Sequence, residues 1–296
     1  MRTQLTELST TIHSLSLRKI GIAIVTFKVV AIAALLYYLV IEYQSGNLLF
    51  DENFKWFLLA GFVAQLIDGA LGMAYGVSCT TLLLNFGLPP SMASASVHIS
   101  EIFTTGVSGL SHLKFKNIDK ALFFKLLFTG VLGAVLGAYL ISDFFDGQTV
   151  KPYIAAYLLI LGIFILYKGI RNAPTSGKKI RYVPRLAFFG GLLDACGGGG
   201  WGPIVTSNLL NKGGDPRTSI GTVNTAEFFV TFFASAVFIF FLGIQFWQIV
   251  LGLIIGGCLA APLGAYLVSK INKRYLMIMV GILIIVVSCY TIYKTL

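Results

Sequence analysis

The chain contains two copies of one sequence motif, and the second copy begins 126 residues after the first. Residues 62–105 align without a gap with residues 188–231, and 15 of the 44 aligned positions are identical. A shorter motif repeats in the same way, since Leu-Gly-Ala-Tyr-Leu-Ile-Ser at 136–142 returns with one change at 263–269. The identical pairs used below are Asp68/Asp194, Gly72/Gly198, Gly76/Gly202, Asn85/Asn211, Pro90/Pro216 and Glu101/Glu227. Such a chain folds as two related halves, and glycine-interrupted segments at matching places in the halves of a membrane protein point to a binding site.

Composition places both halves in a membrane. Of the 296 residues, 56% are hydrophobic and only 11% are charged, against roughly 25% charged residues in soluble domains. Nine apolar segments reach the ~20 residues that a membrane-spanning helix needs. They are 19–42, 56–86, 91–113, 121–143, 151–170, 182–211, 216–243, 246–269 and 274–295. The net charge of +10 lies in the loops between them, which is typical of an inserted membrane protein and not of a nucleic-acid-binding one. The four cysteines have neither metal-ligand nor redox spacing, so we predict no metal and no cofactor.

Two of these segments, 56–86 and 182–211, have a glycine-rich interruption near the middle. Each could cross the membrane once as a broken helix, or enter and return as a re-entrant hairpin. The bias of Lys and Arg in short loops sets the orientation of a membrane protein. Hairpins give seven full spans, with 17 basic residues in the cytoplasm and three outside. Single crossings give 11 basic residues in the cytoplasm and nine outside. We therefore predict hairpins, with the N-terminus in the cytoplasm and the C-terminus outside.

The predicted fold is an all-α integral membrane protein with two inverted repeats. Each repeat is a re-entrant helical hairpin plus three transmembrane helices, and one extra N-terminal span precedes them. Because three crossings are an odd number, the second repeat runs upside down and the two hairpins meet near the middle of the bilayer. Small residues occur at every fourth position of the third apolar segment in each repeat, counting the hairpin as the first. These residues, such as Gly133 and Gly256, are expected to let helices pack closely. The predicted domains are a leader with the first span at 1–54, repeat 1 at 55–171, a basic cytoplasmic linker at 172–181 and repeat 2 at 182–296.

Five ionisable residues near the middle of predicted membrane segments are candidates for proton coupling or gating. They are Asp68, Asp194, His98, Glu101 and Glu227. Each aspartate sits at the break of a hairpin, where it could cap the half-helix that follows or handle an ion or proton directly. Each glutamate lies near mid-depth, where a buried carboxyl can exchange protons near neutral pH. A structural alternative stays open for all five, as hydrogen-bond partners that hold the broken backbone in place.

The breaks themselves are the predicted substrate site. No arginine lies deep in any span, so an anion would be met mainly by the free N–H groups at the start of each second half-helix. Glycine lets the backbone approach a ligand closely. An aromatic residue, Tyr75 or Trp201, occupies the same position in each half, and for each of these two packing is the alternative role. The predicted substrate-binding residues are Gly72, Tyr75, Gly76, Ser78, Gly198, Gly199, Gly200, Trp201, Gly202 and Asn224.

Both breaks resemble those of a known transporter family. The first copy reads Leu-Ile-Asp-Gly-Ala-Leu-Gly at 66–72, followed by Asn85 and Pro90, and the second reads Gly-Gly-Leu-Leu-Asp-Ala-Cys-Gly-Gly-Gly-Gly-Trp-Gly-Pro at 190–203. This arrangement resembles the TauE/SafE family of sulfite-exporter-like permeases, over about residues 55–295. The resemblance implies transport of a small sulfur-containing or organic anion, such as sulfite, sulfoacetate or another sulfonate, across a bacterial or archaeal inner membrane. The first copy lacks the four consecutive glycines of the second, which favours the second hairpin for close anion contact.

The sequence thus predicts a secondary transporter that works by alternating access, with proton coupling as one mechanism. A passive anion channel of the same architecture is the first alternative. An intramembrane enzyme that uses Asp68 and Asp194 as an acid pair is the second, because two carboxylates that share a proton suit hydrolysis. No catalytic residue is assigned. The predicted partners are a small anion and membrane lipid, with no nucleic acid, and assembly into a homo-oligomer is left open.

Overall fold

A computed structural model describes residues 17–46, 50, 52–71, 73–171, 182–212, 214–244, 246–270 and 273–295. Regular structure in these ranges is helical throughout, which confirms the all-α prediction. The predicted linker at 172–181, most of the polar leader and the predicted site residue Gly72 lie outside the described residues. The helices are α1 (Leu17–Gln44), α2 (Phe54–Leu71), α3 (Tyr75–Asn85), α4 (Pro90–Lys114), α5 (Lys120–Tyr139), α6 (Gly147–Ile170), α7 (Val183–Gly197), α8 (Ser207–Asn211), α9 (Pro216–Leu242), α10 (Trp247–Lys270) and α11 (Lys273–Thr295).

Two π-helical turns extend this set of helices. The turn Leu140–Phe144 continues α5, and the turn Gly202–Thr206 leads directly into α8, so that residues 201–211 form one helical segment. Pro203 lies in the first turn of this segment, where a proline costs no intrahelical hydrogen bond.

Five helices in the described ranges are long and apolar enough to cross a membrane. They are Leu17–Gln44, Lys120–Phe144, Gly147–Ile170, Arg217–Leu242 and Met277–Thr295, and all five belong to the seven spans that the sequence predicts. Helix α4 has the length but carries many Ser and Thr residues, together with His and Glu. In α10 the apolar helix covers Trp247–Ala260. The chain is a multi-pass membrane protein, and the total of seven spans stays a prediction.

The two halves have the same succession of helices. Helices α2 to α6 correspond in order to α7, the segment 201–211, α9, α10 and α11. The chain between α2 and α3, like that between α7 and the segment 201–211, leaves the helix at the glycine-rich sequence, as predicted.

Equivalent helices of the two halves pack against each other and run in opposite directions. A Cβ on Gly106 of α4 would lie 3.2 Å from the Phe228 ring of α9, and one on Gly109 would lie 3.5 Å from Thr225. The residue number falls along α9 as it rises along α4, so these two helices are antiparallel. The corresponding arrangement in α6 and α11 is described below.

Close backbone packing joins α5 to α7 and α2 to α10. A Cβ on Gly133 would lie 2.9 Å from the carbonyl carbon of Phe188 and would overlap the Phe188 carbonyl oxygen. Gly256 lies in the same way against the Leu58 carbonyl. These contacts confirm that the small residues serve helix packing, because any side chain would separate the helices.

Aspartates cap helices in the connecting loops. Asp146 accepts hydrogen bonds from the Thr149 backbone N–H at 2.9 Å and from the Thr149 hydroxyl at 2.8 Å, which fixes the start of α6. Asp215 caps α9 through the same two groups of Thr218, each at 2.9 Å. These hydrogen bonds favour the ionised carboxylate, so the pKa of Asp146 and that of Asp215 lie below the usual value.

Candidate functional site

The two glycine-rich breaks touch each other inside the molecule. A Cβ on Gly76, at the start of α3, would lie 2.9 Å from the Gly199 Cα atom, and one on Gly199 would overlap the Val77 backbone nitrogen. Gly198 has a φ angle of 67°, and the Thr80 hydroxyl donates a hydrogen bond to its carbonyl oxygen. Only residues without a Cβ permit so close a backbone contact, so the glycines of both halves build the junction.

Each break is held by its aspartate. The Trp201 backbone N–H donates a hydrogen bond to Asp194 Oδ1 at 2.9 Å. In the first half, the Asp68 carboxylate interacts with the backbone N–H of Tyr75, the repeat counterpart of Trp201. The Asp194 hydrogen bond is the one expected of a carboxylate that caps the helical segment after the break. The capping role proposed from the sequence is therefore present in the second half, and the same pair of groups interacts in the first.

A cavity of about 280 Å³ lies beside the junction and is lined by both halves. It brings together nine of the predicted site residues. They are Asp68, Tyr75, Gly76, Glu101, Asp194, Gly200, Gly202, Asn224 and Glu227. The first residues of α3 and of the segment 201–211 are thus at the cavity wall, where first-turn N–H groups have no acceptor within their own helix.

Five predicted site residues lie behind this wall and do not line the cavity. Gly198 and Gly199 form the contact between the breaks. Ser78 is buried in α3 and its hydroxyl has no hydrogen-bond partner. Trp201 is fully buried, with its indole N–H directed at the Val223 carbonyl oxygen at 3.4 Å, so it packs the core.

His98 is the fifth of these residues, and it contacts the site through Asp194. Its Nε2 atom lies 3.2 Å from Asp194 Oδ2, a distance within ion-pair range although the atoms are not aligned as a hydrogen bond. Its Nδ1 atom lies 2.9 Å from the Ser94 carbonyl oxygen and therefore carries a hydrogen. Its Nε2 atom is thus the ring nitrogen that faces the Asp194 carboxylate.

Carboxylates dominate the charge of the cavity. Four line it, from Asp68, Glu101, Asp194 and Glu227, and neither Lys nor Arg does within the described parts of the chain. Those parts also contain no group of three residues suited to hold a metal ion. Like charges within one small cavity repel strongly where water is scarce, so the cavity favours bound protons or other cations.

Sequence reasoning missed a polar row on α4 that continues the cavity. Thr104, Thr105, Ser108 and His112 line it beyond Glu101, and Ser108 accepts a hydrogen bond of 3.1 Å from the Asn224 side-chain amide. Their spacing from Glu101 is that of one face of an α-helix. A search for polar residues at this spacing in the predicted span would have found them.

The cavity extends toward only one end of the molecule. Its last lining residues are His112, near the end of α4, and Ile220, near the start of α9. The adjoining helix ends and loops carry Lys114, Lys116, Lys212 and Arg217, and we call this the basic end and its opposite the far end. Toward the far end, α4 is closed against α7, where the Ser94 hydroxyl donates to the Ala195 carbonyl oxygen at 2.6 Å.

Comparison with known proteins gives a family. The sequence profile named "Sulfite exporter TauE/SafE" matches residues 57–291. A protein of Bacillus subtilis named "Probable membrane transporter protein YtnM" is 44% identical over 247 residues, which are 80% of this chain and 81% of the relative. A protein of Haemophilus influenzae named "Probable membrane transporter protein" is 24% identical over 79% of this chain and 92% of its own length. "Sulfite exporter TauE/SafE family protein 6" of Arabidopsis thaliana is 30% identical over 44% of this chain and 32% of its own. No solved structure matches at a significant level.

Proposed function

The chain belongs to the sulfite exporter TauE/SafE family of membrane transporters, and from this premise we propose that it is a secondary transporter for a small sulfur-containing or organic anion. Sulfite, sulfoacetate and other sulfonates are the proposed substrates, and the bacterial or archaeal inner membrane is the proposed location. The observation that carries the proposal is the central cavity, which both halves line at the contact of their breaks. Family and relatives are named as transporters, so the sequence-based enzyme alternative is set aside.

Alternating access is the proposed mechanism, and the packing of the two halves supports it. Equivalent helices α4 and α9 run antiparallel, as they do in inverted repeats, whose two halves can exchange conformations. The cavity extends toward the basic end, while Ser94, His98 and Ala195 are buried on the far side of it. A carrier with access from one side at a time has such an arrangement, whereas a passive channel needs a path to both ends.

The charge of the cavity supports proton coupling as part of this proposal. An anion cannot approach four ionised carboxylates without a large electrostatic penalty, so it enters together with protons that neutralise them. Glu101 and Glu227 are the proposed proton carriers, because each lines the cavity. The anion itself is bound by the first-turn N–H groups at Gly76 and Gly202, where the positive ends of two helix dipoles point to the cavity.

The test is uptake of sulfite and sulfoacetate into proteoliposomes, with and without an imposed pH gradient. We expect saturable uptake and accumulation against the concentration gradient only when a pH gradient is present. Glu101→Gln and Glu227→Gln should remove the accumulation, since the amide cannot carry a proton, while Glu52→Gln, at an exposed loop position, should behave as the unchanged protein. Accumulation that ignores the pH gradient would remove proton coupling, and flux that never saturates would favour the channel.

A further inference from the structure

We propose that the protein has a second oxyanion-binding site, formed at the far end by Lys151 of α6, Lys294 of α11 and Asn85 of α3. These residues line a separate cavity of about 270 Å³. The chemistry that fits it is a tetrahedral or trigonal oxyanion such as a sulfate, sulfonate or phosphate group. Its assignment to the transported anion rests on the proposed function, whereas the presence of an oxyanion site does not.

The register between α6 and α11 brings the two lysines to the same end of this helix pair, where both line the cavity. A Cβ on Gly169 would lie 2.9 Å from Ile278, one on Gly162 would lie 2.8 Å from Ile284, and one on Gly281 would lie 2.7 Å from Leu166. The two residue numbers add to almost the same total in each contact, so the helices are antiparallel and in close contact along their length. The same register brings position 151 level with the last turn of α11, which contains Lys294.

The described side chains that line this cavity carry positive charge and no negative charge. Lys151 and Lys294 contribute two ammonium groups, and the other polar lining residues are Asn85, Gln148, Thr291 and Thr295; no acidic side chain is among those that the structure describes. Asp146, which caps α6 through Thr149, does not line this cavity. Lysine is a strong point-charge partner for phosphate-like and sulfate-like groups, and two such groups in one concave site favour an anion.

Asn85 provides an independent sign of a missing ligand. Its side-chain oxygen is buried and has no hydrogen-bond partner among the residues that the structure describes, although buried polar atoms are nearly always paired. Rotation of the amide by half a turn exchanges its oxygen and nitrogen, and it then presents an N–H donor to an anion. A bound oxyanion would therefore satisfy both the amide and the two lysines.

The position of this site connects it to the central cavity. Helix α3 starts at Tyr75, on the wall of the central cavity, and ends at Asn85, in the second cavity. Its 11 residues correspond to about 16 Å. The second site thus lies at the end from which the central cavity is closed, and an anion held there would be next to the route that opens when the molecule changes conformation.

The test is a lysine-acetylation footprint of the purified full chain in lipid nanodiscs, read by mass spectrometry. In phosphatidylcholine nanodiscs, sodium sulfate should lower acetylation of Lys151 and Lys294 several-fold relative to sodium chloride of equal ionic strength. Lys55 is the internal control, because it lies over the Trp56 ring and outside the cavity lining. Asn85→Leu should weaken the sulfate protection of both lysines, with the native fold checked by thermal unfolding.

A second arm identifies the source of the oxyanion. Nanodiscs that contain phosphatidylglycerol should be compared with pure phosphatidylcholine ones in the absence of sulfate. Protection by phosphatidylglycerol, and not by sulfate, assigns the site to a lipid phosphate group; protection by sulfate assigns it to a free anion. Equal acetylation of Lys151 and Lys294 under every condition would overturn the proposal. Anion flux is measured separately in proteoliposomes, so a failure of transport and a failure of this site are told apart.

Discussion

Individual side chains at the breaks have two roles at once, and Asp194 is the clearest case. Its Oδ1 atom accepts the Trp201 backbone N–H, and its Oδ2 atom faces His98. The first contact fixes where the helical segment after the break begins. The second places the His98 ring against the same carboxylate, beside the cavity. Structure and proposed function therefore cannot be separated at this residue by simple removal of the side chain.

Isosteric replacement can separate the two roles of Asp194. Asp194→Asn keeps an oxygen for the Trp201 N–H, so its thermal unfolding should stay close to that of the unchanged protein. Asp194→Leu leaves that buried N–H without an acceptor, which costs about 1–3 kcal/mol, and its unfolding temperature in detergent should fall. Asp68→Leu should show a similar loss, because the Tyr75 N–H has the same contact. Unchanged melting of both leucine variants would contradict the capping role.

At the scale of helices, glycine determines which elements can approach. Helix α5 lies against α7 at Gly133, and α10 lies against α2 at Gly256. Both pairs join the helix that precedes the glycine-rich break of one half to the fourth helix of the other half. The halves are therefore interlocked, and these contacts position the breaks relative to each other.

The glycine contact is tested by adding one methyl group. Gly133→Ala places a Cβ against the Phe188 backbone, so α5 and α7 must separate, and overpacking of this kind costs about 1–3 kcal/mol. Gly257→Ala is the matched control in α10, since its Cβ would meet Gln65 at 3.7 Å, an ordinary contact distance. We expect thermal unfolding at a lower temperature for Gly133→Ala alone. Equal unfolding temperatures for the two variants would show that α5 and α7 do not need this contact.

On the scale of the whole molecule, the protein presents its central cavity to one end. Polar residues on α4 and α9 lead from the glutamates to the basic end, and buried contacts close the opposite direction. The basic loops belong to the cytoplasmic side in the topology predicted from charge. The described conformation is then the one with access from the cytoplasm.

Thiol labelling tests this direction of access. In a variant without Cys79, Cys196, Cys258 and Cys289, Ser108→Cys should react with a membrane-impermeant thiol reagent from the cytoplasmic side only, since Ser108 lines the open part of the cavity. Ser94→Cys should be unreactive from both sides because Ser94 is fully buried. The measurement compares intact cells with inverted membrane vesicles. Labelling of Ser108→Cys from outside alone would contradict the proposed orientation.

Much of the site was readable from the repeat. The identical pairs Asp68/Asp194, Gly76/Gly202 and Glu101/Glu227 all line one cavity, and the helices break where glycine and aspartate occur together. The polar row on α4 was overlooked because single Ser and Thr residues are common in membrane helices. For Trp201 the sequence left packing and a place in the site wall both open, because an aromatic residue beside a glycine run serves either role. Its close contacts with Gly130 and Gly190 show that it packs the core.

The sequence by itself determined the membrane class, the two related halves and the places where helices break, because hydrophobicity, repetition and glycine act locally along the chain. Only the tertiary structure decided which residues face the cavity, that His98 lies against Asp194, and that Lys151 and Lys294 line one cavity. Those outcomes depend on the register and crossing of helices distant in sequence. That register is set by many close backbone contacts at once, and no single segment carries it.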